Sequence, residues 1–248
     1  LNTLSENSKE QIEKLTETAI KNADASEESA DLIARVVANA SDELVNKVVE
    51  EVSKSSTDEK QTLSAQVLKA IVDTEPNKLE IINDDVKDSM IKQTIESAQN
   101  QQEGTGIQTS ADMTSIVSDI IVNTNTETGA KIIKELNNTE SESDLSLKII
   151  SDISEKDTSK LISLSENNKE QIEKLTEIAI KNADTSDEST QLIAKVVANA
   201  SDELANKVVE EVSKSSTDEK QTLSAQVLKA IVDTEPNKLE IINDDVKD

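Results

Sequence analysis

The sequence predicts an all-α fold, a superhelical solenoid of short antiparallel helices stacked in series, with no strands. Three observations lead there. Residues 161–248 repeat residues 1–88 with only ten substitutions. Apolar residues recur at helical spacing along the chain, with no sustained alternation of the kind a half-buried strand needs. The chain also has no Phe, Tyr, Trp, Cys or His. Bulky aromatic filling is thus absent, and Val, Ile, Leu and Ala can fill only thin cores such as stacked short helices produce.

The repeat defines the units. From Glu51 to Asp88 the match to Glu211–Asp248 is complete, while Arg35 faces Lys195, Val45 faces Ala205 and Thr18 faces Ile178. A weaker copy lies between. DMTSIVSDIIVNTNTETGAKIIKEL aligns with EESADLIARVVANASDELVNKVVEEV, pairing Ile116, Ile120 and Ile121 with Leu32, Val36 and Val37. LSLKIISDISEKDTSKL aligns with LSAQVLKAIVDTEPNKL, pairing Leu145 with Leu63 and Leu161 with Leu79. The expected units are therefore residues 1–83, a divergent unit 84–164 and a returning unit 165–248.

Within a unit the apolar groups Ile12, Leu15, Ala19; Leu32, Val36, Val37; Leu44, Val48, Val49, Val52; Leu63, Val67, Leu68, Ile71; and Met90, Ile91, Ile95 each trace one helical stripe. Ser26, Ser41 and Thr57 precede acids, as in SEE, SDE and TDE, which suits N-caps followed by a first turn that complements the helix dipole. Their spacing leaves helices of about 12 residues, too short to stand alone, so each stripe must meet its neighbours. Pro76 and Pro236 suit a first helical position. The connector QNQQEGTGIQTS, residues 99–110 with Gly104 and Gly106, is the expected joint. Some fifteen helices in hairpin pairs would make a rod on the order of 70 Å long.

Composition narrows function. Lys and Arg number 26 against 51 Asp and Glu, a net charge of −25. Such a surface repels nucleic acid and anionic membranes. No apolar run is long enough to span a bilayer, so membrane insertion is not expected. LNTLSENSKE lacks the features of a signal peptide and an initiator Met, and the chain reads as cut from something longer. Richness in Lys, Asn, Ile, Glu and Ser points to an AT-rich bacterial genome.

No catalytic, cofactor-binding or metal-ligating residue is expected, and the chain reads as non-enzymatic. The acidic clusters Asp84, Asp85, Asp88; Asp24, Glu27, Glu28; and Glu140, Glu142, Asp144 lack the spacing and glycine of a calcium loop. They read as solvated faces and helix starts, with weak divalent-cation screening. Glu10 with Lys14 and Lys47 with Glu51 are surface pairs at i,i+4. SMIK, Ser89 to Lys92, has the spacing of serine acyl-transfer enzymes but no partner motifs. EGTGIQT lacks the strand and third glycine of a dinucleotide loop. Without imidazole or thiolate a transition-metal site has no ligands, and without aromatics there is no stacking platform for bases.

Near-identical long repeats, high acidity and missing Cys and aromatics together resemble the tandem-repeat regions of giant bacterial surface proteins. The periodicity of ANASDELVNKVVEEV is also similar to right-handed superhelical arrays of the armadillo or HEAT kind, although the unit near 80 residues departs from both. The resemblance implies an extracellular or cell-surface spacer, stalk, adhesin shaft or filament. Its partners would be adjacent repeats of the same long chain, with self-association. The alternative is a cytoplasmic scaffold whose solenoid face binds a peptide or protein, and a third class is cation-responsive assembly.

Overall fold

A computed structural model of the chain describes residues 6–54, 57–105, 112–139, 144–214, 218–234 and 236–240. Every regular element among them is helical, with thirteen α-helices and two short 3-10 helices. They fall into two compact units, Leu1–Thr124 and Asn125–Asp248. In the first unit, α1 (Glu6–Asn22), α2 (Glu27–Asn39), α3 (Asp42–Ser53) and α4 (Asp58–Thr74) lead through a 3-10 turn, Pro76–Glu80, to α5 (Asp84–Gln102) and α6 (Met113–Asn123). The second holds α7 (Thr126–Leu136), α8 (Leu145–Lys156), α9 (Thr158–Asn167), α10 (Lys169–Asn182), α11 (Asp187–Asn199), α12 (Asp202–Ser213), α13 (Asp218–Thr234) and the 3-10 turn Pro236–Glu240.

The helix ends follow local chemistry. Ser26 caps α2 by accepting from the Ser29 amide at 3.2 Å, and Asn125 caps α7 by accepting from Thr128 at 2.8 Å. Ser41 and Thr57 occupy N-cap positions with extended backbone but make no side-chain cap bond. There the first-turn acids Asp42, Glu43, Asp58 and Glu59 complement the dipole alone. Pro76 opens a helix as expected, but it is a single 3-10 turn. Helices α2 and α3, at 13 and 12 residues, have the expected length, whereas α1 and α4 have 17 and α5 has 19.

The expected connector 99–110 is shorter than its composition suggests, because residues 99–102 continue α5. Gly104, at φ +68°, then stops the helix. Its amide donates to the Gln101 carbonyl and the Thr105 amide to that of Asn100, a Schellman closure that needs left-handed backbone. Gly106 lies outside the described residues.

Lys60, Lys78 and Lys238 reach helix C-termini, where carbonyls lack partners. The Lys60 ammonium donates to the carbonyls of Ile20 (2.9 Å) and Ala23 (2.7 Å) at the end of α1. Lys78 donates to Ala40 at the end of α2, and Lys238 does the same to Ala200 at the end of α11. Asn46 of α3 clamps the chain before α5, donating to the Ile81 carbonyl at 2.9 Å and accepting from the Asn83 amide at 2.7 Å.

Packing is local in sequence. Within each unit the substantial contacts join helices no more than three apart, such as α1 with α3, α2 with α4, α4 with α5 and α6, α8 with α10 and α11, and α11 with α13. The cores are aliphatic, built on residues such as Leu63, Ile71, Met90, Ile120, Ile133 and Leu147.

Much of the duplicated sequence forms the same elements twice, with α2, α3, α4 and the first 3-10 turn matching α11, α12, α13 and the second residue for residue, whereas the counterpart of α1 is broken at Asn168 between α9 and α10. Burial differs between the copies. Leu15 and Leu32, expected on buried stripes, are 70% and 56% exposed. Leu175, the twin of Leu15, is fully buried. The reason is the neighbourhood, since α10 packs on α7, α8 and α9 as well as α12, whereas α1 packs mainly on α3.

Two outcomes of denaturant unfolding follow. Leu175→Ala should destabilise its unit by about 2–5 kcal/mol, while Leu15→Ala stays within about 0.5 kcal/mol of wild type. Asn46→Ala should cost about 1–3 kcal/mol by leaving the clamped backbone groups without their partner.

Candidate functional site

A cleft of about 330 Å³ lies between α2, α4 and α6. Helical spacing builds it. Asp31 lies one turn along α2 from Glu27, Lys69 and Asp73 lie one turn apart on α4, and Asp112 and Asp119 belong to the start and body of α6. The Lys69 ammonium meets Asp73 at 2.5 Å and Asp119 at 3.6 Å. Partial burial works against this ammonium, but the Asp73 hydrogen bond and the charges of Asp73 and Asp119 outweigh it and hold its pKa above the ordinary lysine value. Asp112 is committed to capping α6, accepting from the amides of Thr114 and Ser115. The cleft therefore has an acidic rim around a neutralised centre. Gln66 lines it nearly buried, its Oε1 without a hydrogen-bond partner. Among the described residues no group of three or more carboxylates could hold a metal ion.

The remaining sequence candidates disperse. Asp84 and Asp85 lie in the first turn of α5, behind the Asn83 cap, and Asp84 pairs with Lys87 at 3.2 Å. Asp88 is one turn further along α5. Asp144 precedes α8 and pairs with Lys148 at 3.0 Å, while Glu140 and Glu142 lie outside the described residues. Ser89 and Lys92 both lie on α5, where Lys92 reaches Glu96. Glu51 takes Lys54 at 3.1 Å and Lys21 at 3.7 Å, while Lys47 reaches Glu43. In the second copy the expected i,i+4 pair is present as Lys207–Glu211 at 2.8 Å. Glu10 and Lys14 lie on α1, the Glu10 side chain being outside the described part.

Asp24, expected as part of an acidic cluster, instead organises the turn before α2. It accepts from the hydroxyls of Ser26 at 2.5 Å and Ser29 at 2.6 Å. The second copy repeats this at Asp184 with Ser186 and Ser189, adding the Ser186 amide at 3.1 Å. The Ser186 and Ser189 hydroxyls hold Asp184 down to about 2, and Asp24 is lowered for the same reason. The motif is visible in the sequence as D-x-S-x-x-S, with Ser26 read as the cap and Asp24 as part of an acidic cluster.

No helix among the described residues is long and apolar enough to cross a membrane. Comparison with protein-family models, curated proteins and solved structures gives no match for the chain.

The Asp184 turn has a defined pH signature. Its folded pKa lies below its unfolded value, so its contribution to stability is complete above about pH 4. That contribution is lost as pH falls through about 2. Carboxyl-carbon NMR titration should give Asp184 a midpoint near that value, moving up toward the ordinary aspartate range in Ser186→Ala.

Proposed function

We propose that this chain is a structural repeat segment of a very long cell-surface or extracellular protein, serving as spacer, stalk or filament and not as an enzyme. The observation that carries this reading is the duplication. One sequence builds α2, α3 and α4 twice, and Glu51–Asp88 returns unchanged as Glu211–Asp248, while three of the ten differences, at Glu27, Ala30 and Asp31, fall in the acidic cleft. That pattern suits a chain whose useful property is length. The sequence-local packing favours an α-solenoid as the finer architecture, since repeat proteins join each element mainly to its chain neighbours. Strong acidity and the absence of cysteine suit a soluble, chemically inert surface outside a cell.

The acidic cleft favours a second reading, a scaffold that takes a basic peptide along its helical face. Its rim carboxylates Glu27 and Asp31 are the groups such a peptide would meet.

Two measurements test the first reading. Trypsin applied to intact producing cells should release peptides of this chain, and peptides containing substituted positions, such as those ending at Arg35 and Lys195, show which copy they came from; release only after lysis would sink the surface assignment. Small-angle scattering tests the solenoid. A compact body of this length has a radius of gyration of about 18 Å, and the solenoid requires a larger one, with maximum dimension on the order of 70 Å.

A further inference from the structure

We propose that the cleft between α2, α4 and α6 binds a small linear polyamine, an aliphatic chain carrying primary ammonium groups. The proposal rests on the same acidic cleft as the scaffold reading, but commits to a free small molecule in place of a peptide.

Helices α2 and α6 both pack on α4, so Gln66, Lys69 and Asp73 of α4 form the floor of the cleft. Gln66 is only 5% exposed, and its Oε1 has no hydrogen-bond donor. A buried amide oxygen without a donor is costly, so an N–H group entering the cleft makes a bond that the fold leaves unmade. Glu27 and Asp31 stand one turn apart on the α2 wall, both exposed and neither in an ion pair among the described residues. Lys69 answers Asp73 and Asp119, which leaves the α2 wall negative.

The second unit shows what fills the Gln66 position. The repeat alignment sets α8 opposite α4 and α11 opposite α6, with Lys148 in the place of Gln66 and Glu188 in the place of Asp112. There the Lys148 ammonium pairs with Asp144 at 3.0 Å and reaches Glu188 of α11 at 3.7 Å. Lys195, in the place of Asp119, pairs with Glu155, in the place of Asp73, at 2.7 Å. The chain thus supplies its own alkylammonium between α8 and α11. Between α4 and α6 it places the neutral Gln66 at that position.

The near-identical copy agrees. Helices α4 and α13 have the same sequence, but Asp31 on α2 is replaced by Gln191 on α11 and Ala30 by Thr190. The acid at position 31 belongs to one copy, although the α4 floor residues recur in both. An organic cation fits better than a metal ion, since among the described residues no three carboxylates converge. Ala30, Ala70 and Ile116 add aliphatic wall for methylene groups. A volume of about 330 Å³ lies at the small end of ligand sites. One ammonium of the ligand meets Gln66 and Asp112, and another meets Glu27 and Asp31.

Isothermal titration calorimetry of the full chain with spermidine, at about 0.15 M salt to screen diffuse attraction, should show saturable binding at one site. Asp31→Gln, which installs the residue of the other copy, should weaken it about fivefold to tenfold. Gln66→Lys, which installs the lysine of α8, should abolish it, because the cleft then holds its own ammonium. Both replacements occur at matching positions of this chain, and helicity by circular dichroism should stay at the wild-type level. The Gln66 side-chain amide should shift in an NMR titration with spermidine. No saturable binding, binding lost when magnesium replaces sodium at constant ionic strength, or variants that bind like wild type would each overturn the proposal. A trilysine peptide that binds more tightly than spermidine would overturn it too, while leaving the scaffold reading in place. Spermidine binding without peptide binding would support it and retire the scaffold reading alone.

Discussion

Each helix in this chain has one apolar stripe and no aromatic residue with which to fill space, so it is stable only where another helix covers that stripe. The two near-identical copies isolate this constraint. Leu15 and Leu175 sit in the same local sequence, yet one is exposed and the other wholly buried. The residues next to the two leucines are the same, and the covering neighbours differ. Short helices gain most of their stability from such coverage, so whatever lies against α1 and α2 matters more to them than their own residues do.

The polar contacts are arranged around that requirement. Lys60, Lys78 and Lys238 satisfy carbonyls at helix ends, and Asn46 fixes the chain where it turns toward α5. Each joins residues more than 30 positions apart, so each ties a helix to a later part of its own unit. Lys238 also reaches the Asp202 carboxylate at 3.5 Å, so one ammonium serves a helix end and a charge together. Much of the negative charge faces solvent, at residues such as Glu43, Asp84 and Glu188.

Much of the helix layout was legible in the sequence, because the repeat, the SEE, SDE and TDE starts and the apolar spacing all pointed the same way. What was not legible depended on neighbours. The spacing placed Leu15 and Leu32 on stripes but could not say whether those stripes were covered. Gly104 read as part of a long loop because composition alone does not show that residues 99–102 keep their helical bonds until a left-handed residue ends them. The cleft was invisible because Lys69, Asp73 and Asp119 converge only when α4 meets α6. The serine–aspartate turn was missed because its acids were read as a charge cluster, whereas the hydroxyls at Ser26 and Ser29 decide the role of Asp24.

The locality of packing bears on how such a chain is made. Helices that find their partners within the next one to three helices close only short loops, and short loops cost little entropy. Chains of this kind fold quickly and from any starting point. A polypeptide emerging gradually, from a ribosome or through a secretion channel, can therefore bury each helix soon after its neighbours appear, without waiting for a distant segment to arrive.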